Sequence, residues 1–167
     1  MKKHQISLLS IFLLICLSAC NNDDTNNNLE PGQLSYLIYF ENAEDFDFDS
    51  GASTLKGTAY PEGNTLIYHS GTNLIEYSNN FEAPMESIIS NNILAFDEVE
   101  KLAINFELMP KNVDEINSID FSIVVFYNNE EDPIYFNNVS YENIAGSFAY
   151  AFTYSLDKGV ELESRTN

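Results

Sequence analysis

Nine consecutive residues near the C-terminus, 148–156 (FAYAFTYSL), place Phe148, Tyr150, Phe152, Tyr154 and Leu156 at every second position, with Ala149, Ala151, Thr153 and Ser155 between them. In an extended chain successive side chains point to opposite faces, so this spacing yields one face of large apolar groups and one of small groups. A helix of the same sequence would scatter the rings around its circumference. The segment therefore reads as a strand. Residues 102–108 follow the same logic, with Leu102, Ile104, Phe106 and Leu108 alternating with Ala103, Asn105 and Glu107, which leaves one face wet. Residues 119–127 (IDFSIVVFY) are apolar at both parities after Ser122 and read as a central strand. Residues 34–40 (LSYLIYF) are similar and read as the first strand.

Turn chemistry separates these runs. Residues 65–69 and 73–78 flank Ser70-Gly71, which predicts a hairpin. Residues 128–133 (NNEEDP) form a turn cluster, followed by Ile134-Tyr135-Phe136 and then Asn137-Asn138. Asparagine tolerates the left-handed backbone, so the Asn pairs are expected mostly in turns. Asp157-Lys158-Gly159 is expected to turn into a last short strand over 160–163. One segment departs from period two: Met85, Ile88, Ile89, Ile93 and Phe96 recur at helical spacing after Pro84. Proline suits a first helical turn, so one short helix is expected within 84–96, although Asn91-Asn92 opposes it. About seven to nine strands with frequent turns fit a mainly β chain, an antiparallel β-sandwich of Ig-like or related type. The alternative is a small closed β-barrel with a ligand-holding interior.

The N-terminus carries an address rather than a fold. Lys2 and Lys3 precede an apolar run over residues 6–17 (ISLLSIFLLICL), too short to span a bilayer as a mature helix, which reads as a signal peptide. The next residues, Leu17-Ser18-Ala19-Cys20, resemble the lipobox of bacterial lipoproteins at all four positions. The resemblance covers the N-terminus alone. It implies that the peptide is cut before Cys20, that the Cys20 sulfur is diacylated and that its new amine is acylated. Several acyl chains together anchor firmly where one binds marginally, so the implied partner is a membrane, held through Cys20. Position 21 is Asn rather than the Asp of inner-membrane retention, and Asp23-Asp24 is similar to acidic surface-export signals. The resemblance thus implies the outer membrane of a bacterial cell envelope, with surface exposure as a further expectation. Residues 20–32 then read as lipidated cysteine and polar tether, and residues 33–167 as one β-rich domain.

Cysteine usage and charge narrow the chemistry. Cys16 leaves with the signal and Cys20 takes the lipid, so no thiol remains for a disulfide, zinc or nucleophilic attack. All 26 acids follow Cys20, whereas two of the seven bases are Lys2 and Lys3; the mature chain carries five bases against 26 acids, a net −21. Such a surface repels phosphate backbones and anionic headgroups, so nucleic acid is not an expected partner. It accepts cations or basic partners.

Few residues offer catalysis. His69 is the one histidine of the mature chain and sits beside Ser70-Gly71, without a G-x-S-x-G element. Carboxylates for glycoside hydrolysis are abundant, but nothing in the sequence pairs two of them. No enzyme activity, cofactor or metal is assigned. The acidic stretch over residues 41–51 (ENAEDFDFDSG) offers Asp45, Asp47 and Asp49 in the spacing that opens an EF-type calcium loop. Ser50 stands where glycine belongs, Gly51 follows one residue late, and Lys56 takes the place of the bidentate glutamate. A looser calcium site could recruit Glu41 or Glu44. The reading preferred is a strand in which Phe46 and Phe48 point inward and the three aspartates outward. Tyr60, Tyr77 and Tyr141 lie near turns and are the candidate stacking faces for a glycan. The expectation for function is a lipid-anchored binding or interaction module, adhesin-like, glycan-associated or assembly-accessory, with an unidentified protein or glycan partner. The alternatives are a barrel carrier of a small apolar ligand and a small carboxylate-based hydrolase.

Overall fold

A computed structural model describes residues 29–70, 73–86 and 90–166. The expected signal peptide, the lipobox-like residues with Cys20 and the expected tether through residue 28 lie outside the described residues. Within them the chain forms eleven strands: β1 (Gly32–Asn42), β2 (Thr54–Tyr60), β3 (Thr65–Ser70), β4 (Asn73–Tyr77), β5 (Asn80–Pro84), β6 (Ser90–Val99), β7 (Lys101–Leu108), β8 (Ile116–Tyr127), β9 (Tyr135–Ala145), β10 (Phe148–Ser155) and β11 (Gly159–Thr166). They build two antiparallel sheets, ordered β4-β3-β6-β1-β8-β9 and β11-β10-β7-β2-β5. Neither sheet closes on itself, so the architecture is the sandwich and not the closed barrel.

The alternating segments fill the space between the sheets. Phe106 of β7, Phe121 of β8 and Tyr150 of β10 pack ring to ring, with centroids 4.9–5.7 Å apart when Phe40 of β1 is included against Phe106. Each of these rings is at most 4 % exposed. Truncating such a ring to alanine removes about 3–5 kcal/mol. Tyr36 of β1 adds a polar tie across the layers. Its hydroxyl donates to the Leu102 carbonyl of β7 and accepts the Tyr154 N–H of β10 at 2.9 Å. Leu102 and Tyr154 face each other in the β7–β10 register, so the phenol sits between two paired strands of the opposite sheet. Burial pushes this phenol well above its ordinary pKa.

The two sides of the sandwich are closed differently. On the β4/β5 side, Phe81 is stacked between Tyr68 and Tyr77 at 5.1 and 5.2 Å. The Phe81 ring also crowds Gly57, its register partner on β2, where a Cβ would come within 2.3 Å of the ring. Glycine is required there by close approach. On the β9/β11 side, one carboxylate of Glu163 accepts from Tyr150 at 2.7 Å, Asn137 at 2.5 Å and Tyr135 at 3.1 Å, joining β9 to the opposite sheet.

Several expectations change. The helix expected over 84–96 is absent from the described residues: Pro84 ends β5, and Ser90–Val99 is β6, which pairs with both β1 and β3. Ile88 and Ile89 lie outside the described residues. Ile93 is buried at strand period with Ala95, and two ladders of backbone hydrogen bonds outweigh a local helical spacing. Asn91-Asn92 and Asn137-Asn138 lie inside strands, not turns. The buried Asn91 accepts from Tyr68 at 2.8 Å and Ser70 at 3.0 Å, which accounts for an amide in a strand. Asn128-Asn129 do turn, both at positive φ, and Gly159 turns at φ 73° into β11. The hairpin of β3 and β4 is paired as expected.

Candidate functional site

The acidic segment carries Asp45, Asp47 and Asp49 in the spacing that opens a calcium loop. Residues 43–53 form the connection from β1 in one sheet to β2 in the other, not a strand. Phe46 makes a single antiparallel bridge to Pro110, and Phe46 and Phe48 are buried while Asp45 and Asp49 are exposed. The inward–outward alternation thus holds without a ladder. Backbone bonds pin the segment to the end of β7: Asp47 N–H donates to the Met109 carbonyl at 2.7 Å, and Lys111 N–H donates to that of Asp45 at 2.8 Å. Ser53 Oγ bonds the Asp47 carbonyl at 2.5 Å and receives Met109 N–H at 3.1 Å.

Asp47 is the acid with a defined task. Its Oδ1 accepts the backbone N–H groups of Asp49 and Ser50, both at 3.0 Å, closing an Asx turn. Hydrogen bonding from Ser50, by side chain and then backbone, holds its carboxyl below the ordinary range. The oxygen that an EF-type loop would give to calcium is turned onto the chain itself. Among the described residues no three histidines or acids converge in a set that could hold a metal ion.

The other candidates disperse. His69 lies in β3 between Leu74 of β4 and Asn92 of β6 in the register, half-buried on the outer face of its sheet. Tyr77 is spent in the Phe81 stack, and Tyr141 packs on Phe148 at 5.2 Å. Tyr60 alone of the three stays 40 % exposed, with Lys101 Nζ 4.8 Å above its ring. It borders an open cleft of about 390 Å³, in which Lys101 and Lys158 both reach Glu161, at 3.4 and 3.0 Å. Both lysines of that cleft are therefore already paired with Glu161.

A different feature emerges on the outer face of the six-stranded sheet. Leu74, His69, Asn92, Leu37, Val124 and Phe136 are successive register partners across all six strands. One row over, Glu76, Ile67, Leu94, Ser35 and Phe126 line up in the same way. On the other side Tyr39 stands between Ser90 and Ser122. Leu74, Tyr39 and Phe136 are 65, 41 and 42 % exposed. Glu76, Glu41 and Asp120 stand around this apolar area, Asp120 receiving the hydroxyl of Ser140. Serine and acid form its border.

The signal for this face is present in the sequence, in two segments that are apolar at both parities. Apolar residues at both parities imply a central strand over 119–127, and 34–40, read as the first strand, is similar; β1 and β8 are both interior to their sheet. A central position satisfies a strand's edges with hydrogen bonds; it does nothing for its second face. Leu37, Tyr39 and Phe126 belong to that second face.

The chain matches no known family model and no curated protein. The fold is similar to that of a solved structure. A DUF4425 family protein from Bacteroides ovatus superposes with a TM-score of 0.53 at 10 % identity, over 75 % of this chain and 96 % of that one. A second DUF4425 domain, from Bacteroides vulgatus, gives a TM-score of 0.45 at 5 % identity, over 83 % of this chain and 99 % of that one. At the first protein's identity the likeness extends to the sandwich fold alone.

Proposed function

We propose that the protein is a lipid-anchored binding module of a bacterial cell envelope, held by Cys20 in the outer membrane, and that it meets its partner with the outer face of the six-stranded sheet. The observation that carries this reading is the exposed Leu74, Tyr39 and Phe136 with the half-buried Leu37, Ile67, Leu94 and Phe126 on the same face. Monomeric proteins keep contiguous exposed apolar patches small, and larger ones bordered by polar groups mark contact sites. A filled aromatic interior supports contact at the surface over carriage of an apolar ligand inside. The dispersal of His69 and the acids supports binding over catalysis.

Two experiments test the two halves. Cys20→Ala abolishes incorporation of labelled fatty acid and releases the protein from the membrane; unchanged labelling refutes the anchor. A photo-crosslinking amino acid at Tyr39 or Phe126 gives discrete adducts in intact cells, whereas one at Lys56, exposed on the other sheet, gives none. Equal adduct formation from all three positions refutes the face.

A further inference from the structure

The four edge strands of the two sheets are unequal. β5 has five residues, ends at Pro84 and carries Glu82, paired with Lys56 at 3.0 Å. β11 carries Glu161, Glu163 and Arg165 within eight residues. β4 has only five residues. These are the devices that keep an edge from pairing with a foreign strand: shortness, proline and charge. β9 has none of them where it matters. It is eleven residues long, and residues 135–141 (YFNNVSY) contain no charge, proline or glycine in a chain that is 20 % charged. Over those seven residues its register against β8 runs without a break, from Val125↔Tyr135 to Ile119↔Tyr141. A row of alternate N–H and C=O groups therefore faces away from β8.

The inner side of this edge is held still by Tyr135 and Asn137 on Glu163, and by the Tyr135 ring stacked on Phe152 at 5.4 Å. Its outer side presents Phe136, the last residue of the apolar row from Leu37 through Val124. Carboxylates stand at both ends, Glu130, Glu131 and Asp132 before the strand and Glu142 near its close.

Resting on the reading of the outer face given above, we infer that β9 is a strand-addition edge that takes an extended, basic peptide segment as a seventh strand of the larger sheet. The main chain of β9 supplies the hydrogen bonds, and alternate apolar side chains of the peptide continue the row beyond Phe136. Lysine or arginine flanking the added strand meets the carboxylates at either end. A second copy of this chain is the poorer occupant, because each mature chain brings a net −21.

The test is amide exchange by NMR on the mature protein in detergent micelles. The probe is a nine-residue peptide of alternating valine and threonine with lysine at each end, beside a twin ending in glutamates. With the lysine peptide at about ten times its Kd, the outward-facing amides within 135–141 gain about tenfold protection. The glutamate twin gives no protection at the same concentration, and Phe136→Lys weakens binding of the lysine peptide without changing the melting temperature. Absence of β9 protection overturns the inference, as does equal protection by both peptides. Perturbation of Leu37 and Phe126 without β9 protection overturns strand addition while leaving the face as a contact surface. Protection of β9 that rises with protein concentration alone assigns the edge to a second copy and overturns it as well. Conversely, β9 protection together with a silent outer face in the crosslinking experiment removes the face and keeps the edge.

Discussion

Tyr36→Phe removes one oxygen atom from the middle of the sandwich. The ring stays, with its edge-to-face contact to Phe152 at 5.4 Å, so packing changes little. What is lost is the hydroxyl between the Leu102 carbonyl and the Tyr154 N–H, at a site where Tyr36 is 1 % exposed. A buried donor or acceptor left without a partner costs about 1–3 kcal/mol. Two such groups face each other here, and phenylalanine recovers part of the loss through the hydroxyl's own desolvation, giving a net destabilisation of about 2–4 kcal/mol. That is a large fraction of the roughly 5–15 kcal/mol by which domains are stable. Urea denaturation followed by far-UV circular dichroism measures it as a lower midpoint at unchanged slope. A loss under about 0.5 kcal/mol refutes the reasoning, because it means that the two register partners close onto each other and the hydroxyl was never a tie between layers.

Three further outcomes follow from the same geometry. Burial pushes the Tyr68 phenol up to about 12, so its folded-state pKa lies above the unfolded value of 10.0; the stability this represents is present below pH 10 and is lost as pH rises from 10 toward 12. Tyr36, Tyr135 and Tyr150 shift in the same direction, burial being the first cause for each and Glu163 adding to it for the last two. Chemical denaturation between pH 8 and pH 12, values spanning the ordinary tyrosine range of about 10, therefore shows stability falling only above about pH 10, and less steeply in Tyr68→Phe. Gly57→Ala drives a methyl into the Phe81 ring and lowers stability by about 1–3 kcal/mol in urea, whereas an unchanged midpoint would show that the stack yields freely. Asp47→Ala opens the turn, so the Asp49 and Ser50 amides exchange faster, while calcium and chelator give wild-type protein the same melting temperature; a rise with calcium would restore the metal reading.

The strands were legible because burial between two sheets imposes a period of two: residues 102–108 obey it throughout, and 148–156 keep every large side chain inside while Ala151 and Ser155 are buried on the other face as well. The segment over 84–96 was misread for a reason of the same kind. Three isoleucines and Phe96 coincide with helical spacing, but the strand pairings that decide the matter come from β1 and β3, tens of residues distant. Residues 46 and 48 were placed inside correctly and given the wrong element, since alternation reports which way a side chain points and not whether a neighbouring strand exists. The outer face was hidden longest. Its rows assemble from β4, β3, β6, β1, β8 and β9, and no local window of sequence contains two consecutive members of that order beyond the hairpin and the β8–β9 pair.

That same order has a consequence for how the molecule comes into being. The first strand of the domain is an interior strand, flanked by β6 and β8. β1 emerges early yet waits for residue 90 and then residue 116 before its neighbours exist. Loop closure on that scale makes non-local sheets slow, folding in roughly milliseconds to seconds. Through that interval the chain passes as an unpaired strand with β3 and β4 already able to close locally. A cut between β1 and β2 is correspondingly severe: removing the strand it frees leaves β4-β3-β6 and β8-β9 as two fragments with an empty slot between them, and only a strand of β1's own alternation refills it.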